Sequence, residues 1–371
     1  MNKRGLSSVI TTLIIVLLSL VAVGVVWVVI SNVLKSGTEQ TSSEFGQLLL
    51  RLELEKVQVE SNGDLKVSVK RDSGGENLDG VAIIISDGTN TQVFEKQESI
   101  NPLEIKTYTI TSSELTAVGF AKEVSIAPLT KKGDEFTSGN IVSQKVISNK
   151  EVLKGLGAVS WWKLDGDGKD SIGSTNMDVK SLVSWINGKY GQSMKMSDTV
   201  NPSCINQDAG LYTNSLSDTI KNLPKGSFTL SWWNNLPANT GASRIHLASV
   251  DVPLCGTCSI WNQLNSIVIR NVAGGNADIS YTAPSIDIWH HFVYYFDYPN
   301  RKTGIYIDGS LIQEKSLPDG DYGTIRWIAF GVYHPSCVDS IPGEKIDDVV
   351  LFNKVLTVQQ IKSLYNFDTT K

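Results

Sequence analysis

The chain has 371 residues, with 33 Lys and Arg against 38 Asp and Glu, so its formal net charge at pH 7 is −5. This length is sufficient for two domains, and the charge argues against nucleic acid as a partner, which would require a basic face. Residues 1–151 contain 13 Glu and 5 Asp, whereas the chain from residue 154 onward contains 2 Glu and 18 Asp. Eight of the nine Trp and all His and Cys also fall in the later part, which predicts two globular units.

The N-terminal segment is strongly apolar, with no charged residue between Arg4 and Lys35. As a helix, residues 6–34 would measure ~44 Å at ~1.5 Å per residue, whereas a bilayer core needs only about 20 residues. Many of these residues are β-branched, but a single strand in lipid cannot satisfy its own backbone, so a transmembrane helix is predicted in preference to a buried core helix. Because Lys3 and Arg4 precede the run, we expect a single-pass cell-membrane protein with a cytoplasmic N-terminus and an extracellular bulk.

A cleaved secretory signal is the main alternative, but its apolar region would be only about 7–15 residues long and a small-residue cleavage site would follow. The basic pair Lys3-Arg4, followed by Gly5 and a long apolar helix, resembles instead the class III signal of archaeal type IV pilins and archaellins. In that family a prepilin-peptidase-like enzyme cuts after the glycine, which implies processing between Gly5 and Leu6. The resemblance also implies two partners for the helix: membrane lipid, and other pilin subunits in a filament.

Small polar residues at positions 36–44 predict a flexible stalk. Alternating apolar and polar residues then begin, as in Leu50 to Leu54 and Leu65 to Val69, and turn signals such as Asn62-Gly63 separate the runs. Short strands at this spacing predict a small Ig-like β-sandwich over residues 45–150. The segment contains no His or Cys, and we interpret it as a spacer or pilin-type head.

Strand patterns also dominate the C-terminal part, and Thr357 predicts the N-cap of one helix near the end. Four sequence landmarks follow one another in order: residues 157–165 (GAVSWWKLD), 227–233 (SFTLSWW), 289–309 (WHHF and IYIDG) and 345–361 (KIDDV, then Leu356, Thr357 and Ile361). Together they resemble the laminin-G-like (concanavalin A-like) jelly roll. The resemblance implies an all-β domain over residues 155–371 that binds carbohydrate or a cell-surface protein. Two departures are the displaced Gly343 and a Cys-bearing insert at residues 250–261.

Some jelly rolls are glucanases, which carry paired catalytic carboxylates. Glycoside hydrolysis needs two carboxyl groups about 5–9.5 Å apart, and jelly-roll glucanases place them on one strand as E-x-D-x-E or E-x-D-x-x-E. The C-terminal part has only Glu314 and Glu344, thirty positions apart. We therefore predict that the chain is not an enzyme. His290 and His291 are neighbours on a predicted strand, where side chains oppose, so a shared metal is not expected.

The acidic cluster Asp165, Asp167 and Asp170 is interrupted by glycines, a pattern that can wrap Ca²⁺. Asp347 lies on a strand that, in this fold, runs close to the cluster. Successive strand residues face opposite sides, so only one of Asp347 and Asp348 can face the loop. The sequence thus predicts a calcium site at Asp165, Asp167, Asp170 and Asp347, and the alternative is a solvated turn rich in Asp and Gly.

Candidate carbohydrate-binding residues are aromatic or polar side chains in or beside irregular loops, namely Trp261, Tyr333 and His334. The tryptophan pairs at 161–162 and 232–233 follow strand alternation. We expect one ring of each pair in the core and its neighbour on the surface.

The cysteines Cys204, Cys255, Cys258 and Cys337 are compatible with a zinc site, a redox pair or disulfides, and an extracellular location favours disulfides. Four cysteines allow three pairings. The resemblance implies that the strand ending near Ser197 runs antiparallel to residues 345–352, which favours Cys204–Cys337 and Cys255–Cys258.

Taken together, the sequence predicts a pilin-like, membrane-anchored cell-surface adhesin with a lectin-like jelly roll. The alternative is a structural pilus subunit in which the jelly roll only decorates the filament.

Overall fold

A computed structural model describes residues 51–74, 78–197, 210–237, 245–248, 259–263, 265–269, 275–332 and 342–370. The predicted transmembrane helix, cleavage site and stalk lie outside these ranges, as do all four cysteines, Tyr333 and His334. Within the described ranges, no helix has both the length and the apolar character needed to span a bilayer.

The strands of the first unit, in chain order, are β1 (Leu52–Val59), β2 (Leu65–Arg71), β3 (Gly80–Ser86), β4 (Thr91–Lys96), β5 (Ile105–Ile110), β6 (Glu123–Lys132), β7 (Glu135–Ser138) and β8 (Ser143–Val146). They form two antiparallel sheets: β1-β2-β5, and β4-β3-β6-β7 with β8 also paired to β6. Leu65, Val67 and Val69 of β2 are fully buried, because alternate residues of a strand face the same side.

A short helix, α1 (Asn149–Gly155), connects the two units. It begins with a capping box, in which Ser148 Oγ accepts the Glu151 N–H at 3.3 Å and Glu151 Oε2 accepts the Ser148 N–H at 3.2 Å. The apolar face of α1 is buried through Val152 and Leu153.

The strands of the second unit are β9 (Ala158–Trp162), β10 (Asp178–Val179), β11 (Val183–Asn187), β12 (Gln192–Met196), β13 (Leu211–Thr213), β14 (Ser227–Asn235), β15 (Ile245–Ala248), β16 (Ser259–Gln263), β17 (Ser266–Ile269), β18 (Ile279–Ser280), β19 (Trp289–Asp297), β20 (Lys302–Ile307), β21 (Ser310–Ser316), β22 (Trp327–Phe330) and β23 (Lys345–Phe352). The helices are α2 (Asp218–Lys221), a 3-10 turn (Leu223–Lys225) and α3 (Val358–Tyr365). The predicted Thr357 cap is present, because Thr357 Oγ1 accepts the Gln360 N–H at 3.2 Å.

These strands form two antiparallel sheets that pack face to face as a jelly-roll sandwich. The seven-stranded sheet has the order β10-β13-β22-β15-β16-β17-β18, and the eight-stranded sheet has the order β11-β12-β23-β14-β19-β20-β21 with β9 paired to β23. The core between them is aromatic: the rings of Trp162 and Phe330 meet edge to face at 5.2 Å, and Trp232 stacks on Phe292 at 5.3 Å. The pairing of β12 with β23 is the antiparallel arrangement that the resemblance implied.

A second hydrophobic core lies on the outer face of the eight-stranded sheet, where the first unit packs. This cluster joins residues of β1–β6 to outer-face residues of the jelly roll and to the buried side of α3; the outer-face members include Trp161, Val293, Tyr295, Val350 and Phe352. The expectation of one surface ring in each tryptophan pair is therefore wrong. Trp161 is 2% exposed and Trp233 4% exposed, because the sheet is covered on both faces.

Hydrogen bonds and an aromatic contact join α3 and the residues after it to the first unit. Asp87 Oδ2 accepts the Ser363 hydroxyl at 2.6 Å and the Gly119 N–H at 3.2 Å. Phe120 meets Phe367 edge to face at 5.2 Å. The two units thus share one continuous interface.

Candidate functional site

The acidic loop that follows β9, residues 165–170, is held in shape by hydrogen bonds between Asp170 and nearby backbone N–H groups. Asp170 Oδ1 accepts N–H groups from Trp161, Ile172 and Gly173 at 2.9–3.0 Å, and its Oδ2 accepts the Thr175 N–H at 3.1 Å. Both carboxylate oxygens of Asp170 are therefore used to fold the loop.

Two of the predicted calcium ligands converge on a single turn, residues 188–191, between β11 and β12. Asp165 Oδ1 accepts the Gln192 N–H at 2.7 Å. Asp347 Oδ2 accepts the N–H groups of Lys189 and Tyr190 at 2.8 and 3.1 Å. The two carboxylates therefore anchor this turn from both ends.

Asp167 lies apart from that turn and pairs with Lys169, at 3.0 Å to both its backbone nitrogen and its Nζ. The described part of the chain contains no group of three or more His, Cys, Asp or Glu side chains that could hold a metal ion. Ca²⁺ takes six to eight oxygen ligands, whereas these carboxylates already accept backbone N–H groups. As placed, the four residues do not fit a calcium ion.

The neighbouring carboxyl group, Asp348, is a feature that the strand pattern missed. A β-bulge interrupts the pairing of β23 with β14 at this point, and Asp348 has a positive φ of 44°. Its Oδ1 accepts the indole N–H of Trp161 at 2.8 Å, and its Oδ2 accepts the Thr369 hydroxyl at 2.5 Å. The bulge thereby leaves both Asp347 and Asp348 buried, with 0% and 5% exposure.

Burial raises the pKa of both Asp347 and Asp348 above the ordinary range, and the charge of Asp348 raises that of Asp347 further. Hydrogen bonds from Thr369 and Trp161 lower the pKa of Asp348 in part. Ionisation of the pair in this buried position therefore lowers the stability of the folded state.

An aromatic cluster lies next to this acid pair on the outer side of β14. The Trp233 ring meets Tyr190 edge to face at 5.9 Å and stacks on Tyr365 at 5.8 Å. Lys189 Nζ lies 4.2 Å from the centre of the Trp233 ring, a cation–π distance. Since Lys189 and Tyr365 cover it, Trp233 is not presented for stacking on a ligand.

The two adjacent histidines have different partners, as strand alternation predicts. His291 Nε2 lies 2.8 Å from Ser231 Oγ, and burial lowers the pKa of His291 to about 3, which keeps the ring neutral. His290 Nδ1 contacts Asp308 instead. The pair does not form a shared metal site.

The seven-stranded sheet contains the one predicted carbohydrate-binding position whose backbone is described, Trp261. Strand register aligns it in a row that crosses five strands: Tyr212, Ala329, His246, Trp261 and Val268. The adjacent row, Leu211, Phe330 and Ile245, faces the core between the sheets. Because neighbouring rows alternate between the faces, backbone register places the row of Trp261 opposite that of Leu211. Within this row Ala329 and Val268 are themselves buried, and Tyr212 is half-buried.

Residues 208–362 match the family model described as the concanavalin A-like lectin/glucanases superfamily. This region is a concanavalin A-like jelly roll. The match confirms the resemblance over residues 208–362, which include three of the four sequence landmarks.

Several solved structures are similar to the chain. The binding domain of Paraclostridial Mosquitocidal Protein 1 is 16% identical with a TM-score of 0.44, over 57% of this chain and 52% of that one. The botulinum neurotoxin serotype G binding domain is 18% identical with a TM-score of 0.44, over 56% and 50%. The chain thus spans about half the length of these structures. No curated protein sequence matches it significantly.

Proposed function

We propose that the protein is a pilin-like, membrane-anchored cell-surface adhesin whose jelly roll binds carbohydrate or a surface protein. The observation that carries the proposal is that the first unit packs on one outer face of the jelly-roll sandwich and lies away from the other. The first unit and α3 cover the outer face of the eight-stranded sheet, so the outer face of the seven-stranded sheet is the layer directed away from the first unit.

The proposed binding face is the row of Tyr212 and Trp261. An aromatic side chain offers a large apolar surface together with a polar edge, and such surfaces suit the alternating apolar and hydroxyl faces of a sugar ring. Tyr212 is half-buried, and its ring lies 5.9 Å from that of Trp327. Trp327 therefore supports Tyr212 from the side.

A glycan array probed with the full-length protein tests this assignment. We expect Trp261→Ala to weaken binding at least tenfold. The matched control Trp185→Ala, on edge strand β11 of the other sheet, should leave it unchanged. Equal affinities for wild type and Trp261→Ala, or no binding to glycans and to intact cell surfaces, would overturn the proposed face.

Binding without glycoside hydrolysis is part of the proposal. Glu314 accepts Lys302 Nζ at 2.8 Å on edge strand β21, whereas Glu344 is fully buried and accepts an Asn234 amide N–H at 2.8 Å. The two carboxyl groups thus lie in different environments on separate segments, unlike a catalytic pair that flanks one glycosidic bond.

The anchor and export signal are proposed from the Lys3-Arg4-Gly5 pattern. N-terminal sequencing of the mature protein should begin at Leu6, and a start at Met1 would contradict pilin-like processing while leaving a membrane tether intact. If the protein forms filaments in electron micrographs but binds no glycan, the structural pilus subunit would be favoured. Export favours disulfides, and the jelly-roll resemblance favours the pairing Cys204–Cys337 and Cys255–Cys258. Non-reducing peptide mapping would detect it.

A further inference from the structure

A serine, a histidine and an aspartate are joined in series at one end of β19. His290 Nε2 lies 2.9 Å from Ser285 Oγ, and His290 Nδ1 lies 2.6 Å from Asp308 Oδ2. A carboxylate can only accept, so Nδ1–H donates to Asp308 and Nε2 is left to accept the Ser285 hydroxyl. This is the order of nucleophile, base and orienting carboxylate that activates a serine.

The carboxylate end of this series is held firmly. Asp308 lies in the turn between β20 and β21, and its second oxygen, Oδ1, accepts the His291 N–H at 2.8 Å. The Asp308 N–H in turn donates to the His291 carbonyl oxygen at 2.8 Å. The His290 side chain is only 14% exposed. Backbone contacts therefore fix the carboxylate, and the carboxylate orients the imidazole ring.

The serine end is open to solvent. Ser285 is exposed and precedes β19 in a loop that also holds Ile286 and Ile288, which are 50% and 53% exposed. The Ile286 N–H donates to no acceptor within the described residues. In α/β-hydrolases, the N–H of the residue after the serine nucleophile helps to bind the oxyanion. The loop thus offers a nucleophile, one free donor and adjacent apolar side chains.

We propose that Ser285, His290 and Asp308 form an acyl-transfer site that accepts esters with an apolar acyl group. Ser285 Oγ attacks the ester carbonyl carbon while its proton passes to His290 Nε2. The bond to the leaving alkoxide then breaks, and the alkoxide takes that proton and departs as an alcohol. Water attacks the acyl-serine, gives a proton to Nε2, and the acid leaves as Ser285 recovers the proton.

This activity is separate from the proposed glycan binding, which uses the other sheet. The expectation that the chain is not an enzyme rests on paired carboxylates for glycoside hydrolysis, and it does not concern a serine nucleophile.

Labelling of the folded, full-length protein with a fluorophosphonate probe tests the site, with mass spectrometry to locate the modified residue. We expect one labelled serine, Ser285, and no labelling in Ser285→Ala. Because a positioned general base contributes about 10²–10⁴-fold, His290→Ala should label at least about 100-fold more slowly. The matched control Ser316→Ala removes an exposed serine at the end of β21 and should label like wild type.

Hydrolysis of p-nitrophenyl butyrate should follow the same order of variants. Asp308→Asn preserves the shape of the side chain, so a lower labelling rate in that variant, with an unchanged circular dichroism spectrum, would assign the loss to chemistry and not to unfolding. Failure of wild type to label at Ser285, or wild-type rates in a folded His290→Ala or Asp308→Asn, would overturn the proposal.

Discussion

Asp347 and Asp348 are two adjacent carboxyl groups in the protein interior, and each is bound by donors from a different part of the chain. Asp347 accepts N–H groups from the turn at residues 188–191, whereas Asp348 accepts donors from Trp161 and Thr369. The sequence predicted Asp347 as a calcium ligand beside the acidic loop, and did not predict its hydrogen bonds to the turn at residues 188–191. The role of Asp348 depends on a bulge that strand alternation does not reveal.

This pair makes stability depend on pH. The folded-state pKa of Asp348 is raised to about 6 by burial, so its contribution to stability is fully present below about pH 4, the ordinary Asp range, and is lost as the pH rises through about 6. We expect the free energy of unfolding to fall by on the order of 1–3 kcal/mol over that window. Urea denaturation at a series of pH values would measure it.

Asp348→Asn should make that profile less steep between about pH 4 and 6, because the amide does not ionise and the Thr369 hydroxyl can rotate to accept from it. The control Asp178→Asn, at an exposed site on β10, should keep the wild-type slope. A slope unchanged by Asp348→Asn would show that ionisation of Asp348 is not its source.

At the scale of elements, local sequence signals identified the strands and the Thr357 cap of α3, since alternation and capping depend on residues close in sequence. The capping box of α1, at Ser148 and Glu151, was visible in the sequence but not recognised. The burial of both rings at Trp161 and Trp162 was not predictable in this way. It depends on the first unit covering the sheet, which is a contact between distant segments.

The contact between α3 and the first unit should be measurable at Ser363. Ser363→Ala removes the hydroxyl that donates to Asp87 in a buried position, and a lost buried hydrogen bond of this kind costs about 1–3 kcal/mol. We therefore expect a lower midpoint in urea denaturation. Lys362→Ala, at the adjacent exposed position of the same helix, should change the free energy of unfolding by less than about 0.5 kcal/mol. Equal effects of the two substitutions would argue against the interface.

At the scale of the whole molecule, the two units share an extended hydrophobic interface. The outer face of the eight-stranded sheet contributes large apolar side chains, including Tyr295, Tyr306 and Phe352, to the second core. An exposed apolar face of this kind favours association. The sequence predicted two units, and the structure shows that they meet through a buried surface.

We expect a fragment of residues 155–371 to self-associate and to bind a hydrophobic dye, whereas a fragment of residues 45–371 is monomeric and unfolds in one transition. Size-exclusion chromatography and denaturation followed by two probes would measure both properties. A monomeric shorter fragment that melts at the same temperature as the longer one would contradict a shared core.

The position of β23 and α3 late in the chain has a consequence for biogenesis. Strands on both sides of β23, β14 and β9 among them, are synthesised well before it, and α3 follows β23. In a nascent chain that emerges N-terminus first from a ribosome or a translocation pore, the strand edges that pair with β23 and the apolar surface that α3 covers therefore stay exposed until about residue 365. We therefore expect a chain that stops before α3 to expose the apolar face that the second core buries and to aggregate.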